Sequence, residues 1–158
     1  MVKKLQALKA KKGFTLVELI VVIAIIGVLA AILIPTLSGV IDNSRKKSAA
    51  STCQSIQSLA KTFATQVMAK TGNNCDASSE VDMDDGKGKV NMATYIGNQI
   101  PELLTADNKG CEVVLEDGNV TSVVYTEGAF SAQWTATAGM GDGEKDAGYA
   151  VAKGISIK

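Results

Sequence analysis

The stretch from Phe14 to Ile41, FTLVELIVVIAIIGVLAAILIPTLSGVI, constrains this chain more than any other. Its 28 residues carry one charge, Glu18, and Leu19 to Ile41 carry none. A helix rising about 1.5 Å per residue draws this run out to roughly 35 Å, enough to cross a bilayer core of about 30 Å. By hydropathy alone it reads as an ordinary single-pass anchor. Two features set it apart: the lone carboxylate five residues in, and the short segment that precedes it. MVKKLQALKAKKG has five lysines (Lys3, Lys4, Lys9, Lys11, Lys12) and no acid, a bias that holds such a segment in the cytoplasm. A secretory signal has an apolar stretch of about 7–15 residues followed by a small-residue cleavage site. Here the stretch is far longer and no A-x-A site follows it. The break in character falls earlier, at Lys12-Gly13-Phe14. Gly13 suits a protease at the cytoplasmic membrane face, because a small, flexible residue lets the backbone enter a tight site. Cutting there removes residues 1–13 as a leader and leaves Phe14 with a free amine.

That amine gives Glu18 a physical explanation. A charge near the bilayer centre costs roughly 2.5–3.5 kcal/mol on insertion scales. Glu18 lies four residues from Phe14, about 6 Å along a helix. An ammonium at Phe14 can pair with the carboxylate, within one subunit or between neighbours. In an apolar bundle such a pair is unscreened and demanding of geometry, so between subunits it acts as a register device more than a source of stability. The bland alternative is a Glu that snorkels to the interface near a helix end.

Residues 11 to 35, K-K-G-F-T-L-V-E-L-I-V-V-I-A-I-I-G-V-L-A-A-I-L-I-P, resemble the N-terminal signature of type IV pilins and the related pseudopilins. The small residue before the cut, the Phe after it and the Glu at the fifth mature position all match, as do Thr15, Leu16, Gly27 and Pro35. The likeness is strong for these 25 residues and reaches to about residue 70; the C-terminal domain lies outside it. It implies a prepilin peptidase that cuts between Gly13 and Phe14 and N-methylates Phe14. It implies a subunit that waits in the cytoplasmic membrane, N-terminus in the cytoplasm, then joins a helical homopolymer outside the cell. It makes Glu18 the assembly residue, paired with the Phe14 amine. The implied partners are identical subunits, the peptidase, an inner-membrane assembly platform and minor pilins.

Loss of the leader takes Lys+Arg from 16 to 11 against 16 Asp+Glu, a formal charge of about −5. An acidic surface with 4% aromatics indicates neither a broad nucleic-acid footprint nor stacking platforms. Within the apolar run, Gly27 and Pro35 bracket the softest part. Pro35 lacks a backbone donor and crowds the carbonyl of Ala31, and Gly27 costs about 1 kcal/mol relative to Ala. The simple reading is a kink; the sharper one is that residues 27–35 straighten or melt inside a filament and let the fibre stretch.

Past Ile41 the helix changes character without a stop. Asp42, Asn43 and Ser44 mark exit from lipid, and Arg45-Lys46-Lys47 suits the headgroup level. Ala49, Cys53, Ile56, Ala60, Phe63 and Val67 then recur at steps of four and three, an amphipathic stripe. One helix is therefore expected from Phe14 to about Lys70, roughly 85 Å at standard rise, with Thr71-Gly72-Asn73-Asn74 ending it. Residues 14–41 form the transmembrane and filament-core half, and 42–70 the amphipathic continuation.

Residues 75–158 form the covering head. Cys75 to Lys89 reads as a polar loop, and Asn91 caps a short helix through Gln99. Strand-like runs follow at Cys111 to Glu116, Asn119 to Thr126 and Ala129 to Thr137. Asp117-Gly118 is a tight-turn signal between the first two. After the glycine-rich GMGDGEKDAG, Tyr149 to Ile157 adds a fourth. The expected fold is α+β: the long helix packed against a small antiparallel sheet of three to four strands.

Three cysteines allow three pairings, each leaving one thiol over. Cys53 sits on the core stripe, where a thiol is the commoner state. Cys75–Cys111 would close a loop of about 35 residues and add on the order of 3–4 kcal/mol. Pilins often close a loop near the C-terminus with two cysteines, and this chain has none after Cys111. Two acid clusters, Glu80/Asp82/Asp84/Asp85 and Asp142/Glu144/Asp146, carry hard oxygen ligands but lack calcium-loop spacing; solvated loop is the reading, with no metal and no cofactor. With no histidine and no G-x-S-x-G, P-loop or C-x-x-C, no enzyme is expected. The function that follows is a structural pilin of a surface filament used in adhesion, motility or DNA uptake. The alternatives are a pseudopilin of a type II secretion or competence system, which shares the whole N-terminal signature, and a membrane-anchored binding domain that never polymerises.

Overall fold

The computed structural model describes residues 13–83, 88–149, 151 and 153–158. The chain divides into two units, residues 1–41 and 42–158. Helix α1, Leu16–Thr71, runs for 56 residues and contributes to both.

In the first unit α1 makes no core. From Phe14 to Ile41 every side chain is exposed except that of Ala30, which is half-buried. The helix is long and apolar enough to cross a membrane by length and composition. Apart from the Ala31 carbonyl, which Pro35 leaves without its donor, a helix satisfies its backbone internally, which is what lets an uncovered apolar segment persist in lipid.

The second unit has a single core, and α1 supplies one wall of it. Ala49, Cys53, Ile56, Ala60, Phe63, Ala64 and Val67 are buried, the stripe expected from their spacing, with Ala64 added. The helix ends at Gly72, whose φ of 73° is the left-handed conformation that lets its N–H return to the Met68 carbonyl at 2.9 Å. Two short strands follow, β1 (Glu80–Asp82) and β2 (Lys89–Asn91), paired antiparallel with Val81 opposite Val90. The expected polar loop is thus partly a ribbon, pinned because Val81 is buried in the core. Residues 84–87 lie outside the described residues. Asn91 caps α2 (Met92–Gln99) by accepting from the Thr94 N–H at 2.8 Å, and a one-turn helix α3 (Glu102–Thr105) opens after Pro101.

The main sheet is built on the hairpin of β3 (Lys109–Glu116) and β4 (Asn119–Glu127). Asp117 and Gly118 turn it with φ of 50° and 82°, the paired positive angles of a type I′ turn. β5 (Phe130–Thr135) pairs antiparallel with β4. Two fragments, β6 (Gly139–Met140) and β7 (Glu144–Lys145), share the outer edge of β5. Cys111, Val113, Val123, Tyr125, Phe130 and Ala132 face inward.

The last strand departs from expectation. β8 (Gly154–Ile157) pairs parallel with β3, Gly110 opposite Gly154 and Val113 opposite Ile157, so the sheet is mixed with order β6-β5-β4-β3-β8. It has six strands, not the three or four of an antiparallel meander. Parallel neighbours need a long crossover, and the segment between β5 and β8 supplies one. Lys158 completes the edge: its N–H donates to the Val113 carbonyl and its own carbonyl accepts from Leu115.

Candidate assembly site

The head of α1 is built by local chemistry. Thr15 stands immediately before the helix, and its hydroxyl oxygen accepts from the Glu18 N–H at 3.2 Å. In return the Glu18 Oε2 accepts from the Thr15 backbone N–H at 2.8 Å and from its hydroxyl at 2.7 Å. This is a capping box, two orphan donors satisfied reciprocally. Reasoning from the sequence assigned Glu18 to the amine at Phe14 and missed this second partner. The signal was present as Thr15-Leu16-Val17-Glu18, a T-x-x-E directly ahead of an apolar run. Both bonds use Oε2, which leaves Oε1 open. Glu18 is thereby held in one orientation, the condition for a carboxylate in an apolar setting to answer one specific cation.

Gly13 and Phe14 precede the helix. A Cβ built on Gly13 meets nothing within 4 Å, and Phe14 is 92% exposed. Residues 1–12, with their five lysines, lie outside the described residues.

Gly27 and Pro35 both lie within the continuous helix. A Cβ at Gly27 would have open space around it. Around Pro35 the hydroxyls turn back on the ladder: Thr36 donates to the Leu33 carbonyl at 2.9 Å and the Ile32 carbonyl at 3.3 Å, and Ser38 to that of Ile34 at 3.3 Å. These bonds hold both hydroxyls against the apolar helix, and none of them reaches the Ala31 carbonyl that Pro35 leaves without its donor.

The three cysteines are buried thiols in this structure, and the Cys75–Cys111 pair of the sequence reading is not bonded. Cys53 donates to the Val123 carbonyl at 3.4 Å. Burial pushes the thiols of Cys53 and Cys111 up to about 12, and the charge Cys53 would carry adds to the shift of Cys111.

The acid clusters form no set of metal ligands among the described residues. Glu80 and Asp82 sit on β1; Asp84 and Asp85 lie outside the described residues. Glu144 is on β7, and Asp146 N–H donates to the Ala129 carbonyl at 2.7 Å. Among the described residues no three potential ligands converge on a metal position. Where the helix enters the head, Lys145 pairs with Asp42 at 2.9 Å, which raises its pKa. Arg45 lies 5.6 Å from the centre of the Phe130 ring, and a Cβ on Gly143 would overlap the Lys46 carbonyl.

Residues 8–34 match the family model of the prokaryotic N-terminal methylation motif. The chain is similar to the type IV major fimbrial protein FimA of Dichelobacter nodosus, 34% identical over 116 residues, which is 71% of each chain. A fimbrial protein of the same organism is 33% identical over 114 residues, 71% of this chain and 70% of its own. A fimbrial protein of Pseudomonas aeruginosa is 71% identical over 28 residues, 18% of each chain. No solved structure matches.

Proposed function

The chain belongs to the type IV pilin family and is a structural subunit of a pilus, and from that premise we propose how its residues are used. A prepilin peptidase cuts between Gly13 and Phe14 and methylates the new Phe14 amine. Before assembly the subunit sits in the cytoplasmic membrane through residues 14–41 with its N-terminus in the cytoplasm. An assembly platform and minor pilins then move it into an extracellular homopolymer. The filament serves adhesion, motility or DNA uptake. We assign the chain no catalytic step, no cofactor and no metal.

The observation that carries this reading is the stretch of residues 14–41: apolar and exposed on every side, with Glu18 as its one charge. A helix apolar all round is stable only in lipid or among other apolar helices, and non-closing contacts between identical copies build fibres. Glu18 sets the register of that packing. Thr15 holds Oε2, and Oε1 receives the Phe14 ammonium of a neighbouring subunit, at a desolvated position where an unpaired carboxylate is strongly disfavoured.

The test is Glu18→Ala in the native cell, read by intact mass and by imaging of sheared surface material. The expected outcome is a subunit that begins at methylated Phe14, accumulates in the membrane and forms no filaments. Normal fibres from the variant would overturn the role of Glu18; a native subunit that keeps its first thirteen residues would overturn the processing.

A further inference from the structure

The apolar stripe of α1 begins at Ala49, but the helix face that carries it continues toward the N-terminus. Lys46 and Asp42 lie three and seven residues before Ala49, on that same face. They are the half-buried residues between Ile41 and Ala49, and the others there are exposed. Neither is apolar, so hydrophobic burial does not hold this part of the helix to the head. What covers it is a strap, residues 141–146. The Gly141 N–H donates to the Gln133 carbonyl at 3.0 Å and the Asp146 N–H to that of Ala129 at 2.7 Å. Between them β7 pairs Glu144 with Ser131 and Lys145 with Phe130. Both ends of the strap are thus fixed to β5, and its middle reaches α1. Gly143 is buried; a Cβ there would overlap the Lys46 carbonyl and lie 2.8 Å from the Lys46 Cα. Backbone packs on backbone, with no room for a side chain. One turn earlier, Lys145 pairs with Asp42 at 2.9 Å. Arg45 and Lys145 lie 5.6 and 5.8 Å from the centre of the Phe130 ring, itself part of the core. The division between the two units falls between Ile41 and Asp42, at the last contact of the strap, and not at Ala49.

We propose that the strap is a clasp that sets where α1 leaves the head. Closed, it ends the uncovered helix at Asp42. Open, it frees the helix up to Ala49, about two turns. Its purpose rests on the filament reading above. A pull on residues 14–41 arrives at Asp42 along the helix, and the clasp stops it there, before α1 can peel off the sheet turn by turn. The contacts suit this. The Asp42–Lys145 pair is partly exposed and contributes little by itself. The close backbone contact at Gly143 is backed by β5, which is paired along its whole length with β4. The clasp therefore opens as a unit, when β7 leaves β5, and the core from Ala49 onward stays closed.

The test is limited trypsin digestion of the full-length subunit in detergent, because Arg45, Lys46 and Lys47 are cleavage sites inside the turns that the clasp covers. Cutting a helix requires it to open locally, so the rate tracks the population of the open form. Gly143→Ala drives the strap off Lys46. Cleavage after residues 45–47 is expected to be at least about tenfold faster than in the parent, with cleavage after Lys61 and the melting temperature unchanged. An unchanged rate at residues 45–47 would overturn the proposal. So would equal acceleration after Lys61, which marks loosening of the whole head. Should Gly143→Ala not fold, Lys145→Met carries the test: it removes the Asp42 pair and leaves the strap backbone alone. A smaller acceleration at the same sites supports the clasp, and none overturns it. In an optical trap, fibres of Gly143→Ala should extend further than the parent's at the same force. Equal extension would remove the clasp from the mechanics of the fibre and leave the pilin reading intact; a native cell that makes no filament would remove that reading and leave the digestion result standing.

Discussion

Residues 14–41 and residues 42–158 solve the same problem in opposite ways. Both contain a helix rich in apolar side chains. In the second unit that helix presents one stripe, and the sheet of the same chain covers it: Ile56, Phe63 and Cys53 are wholly buried. In the first unit the apolar surface runs all round, and Ile32, Leu33 and Ile34 are each 60% exposed or more. The second is a fold, and its stability is a property of the chain. The first is half of an interface, and what stabilises it is lipid or another copy. The difference teaches that a change in one region should act on assembly and in the other on the melting of the subunit.

The largest effect should come from a charge in the uncovered helix. Leu29→Lys places an ammonium mid-span, at about 2.5–3.5 kcal/mol on insertion scales. The expected outcome is complete loss of filaments by electron microscopy, with the head still folded by circular dichroism of detergent extracts. If the head unfolds as well, the two regions are not independent.

Phe63→Ala reverses the pattern. Phe63 is fully buried, with its ring centroid 5.8 Å from that of Tyr95. Truncating such a residue costs about 3–5 kcal/mol through lost burial and the cavity left behind. The melting temperature of the subunit should drop steeply, and filaments should fail only because the monomer is depleted. A variant that melts normally but does not assemble would place Phe63 at an interface rather than in a core.

These assignments were readable from the sequence where periodicity and charge carry the information. The steps from Ala49 to Val67 predicted the buried stripe, because a helix maps spacing directly onto a face. Asn91 announced the start of α2 and Asp117-Gly118 the β3–β4 turn, because both act within four residues. What escaped is non-local. Nothing around Tyr149 shows that β8 crosses to the far edge and pairs parallel with β3, since that choice depends on which edge is free once β4 and β5 are in place. The pairing of β5 with β7 depends on Glu144 arriving opposite Ser131 thirteen residues later. The capping role of Glu18 was missed for another reason: its local signal was plain, but the amine four residues away offered an equally good partner.

Alkaline titration tests the second region alone. The thiols of Cys53 and Cys111 are held protonated by burial, at about 12, and the Tyr125 hydroxyl, buried and facing Glu127, is likewise raised to about 12. In the unfolded chain thiols titrate near 8.5 and tyrosine near 10. Between those values and about 12 the unfolded state has released protons that the folded state keeps, so stability falls as pH rises. The head should hold its melting temperature below about pH 8.5 and lose it progressively above. Cys53 and Cys111 should resist alkylation at pH 8 in folded protein and react on denaturation. Ready alkylation of Cys111 in the folded subunit would show that the core is open.

The smallest effect belongs to Gly27, where the first region departs from a plain anchor. The glycine lies inside a continuous helix, and an added Cβ would meet nothing within 4 Å. Steric need therefore does not explain it. Gly27→Ala should stabilise the helical form by about 1 kcal/mol, with no change in the melting of the head. If residues 27–35 unwind when the fibre is pulled, that increment must be overcome at every subunit, and the effect multiplies along the filament. Fibres of the variant should assemble normally and extend less at a given force in an optical trap. Equal extension would mean that the helix stays intact under load. The glycine would then serve the close approach of neighbouring helices, and larger side chains at position 27 should block assembly while alanine does not.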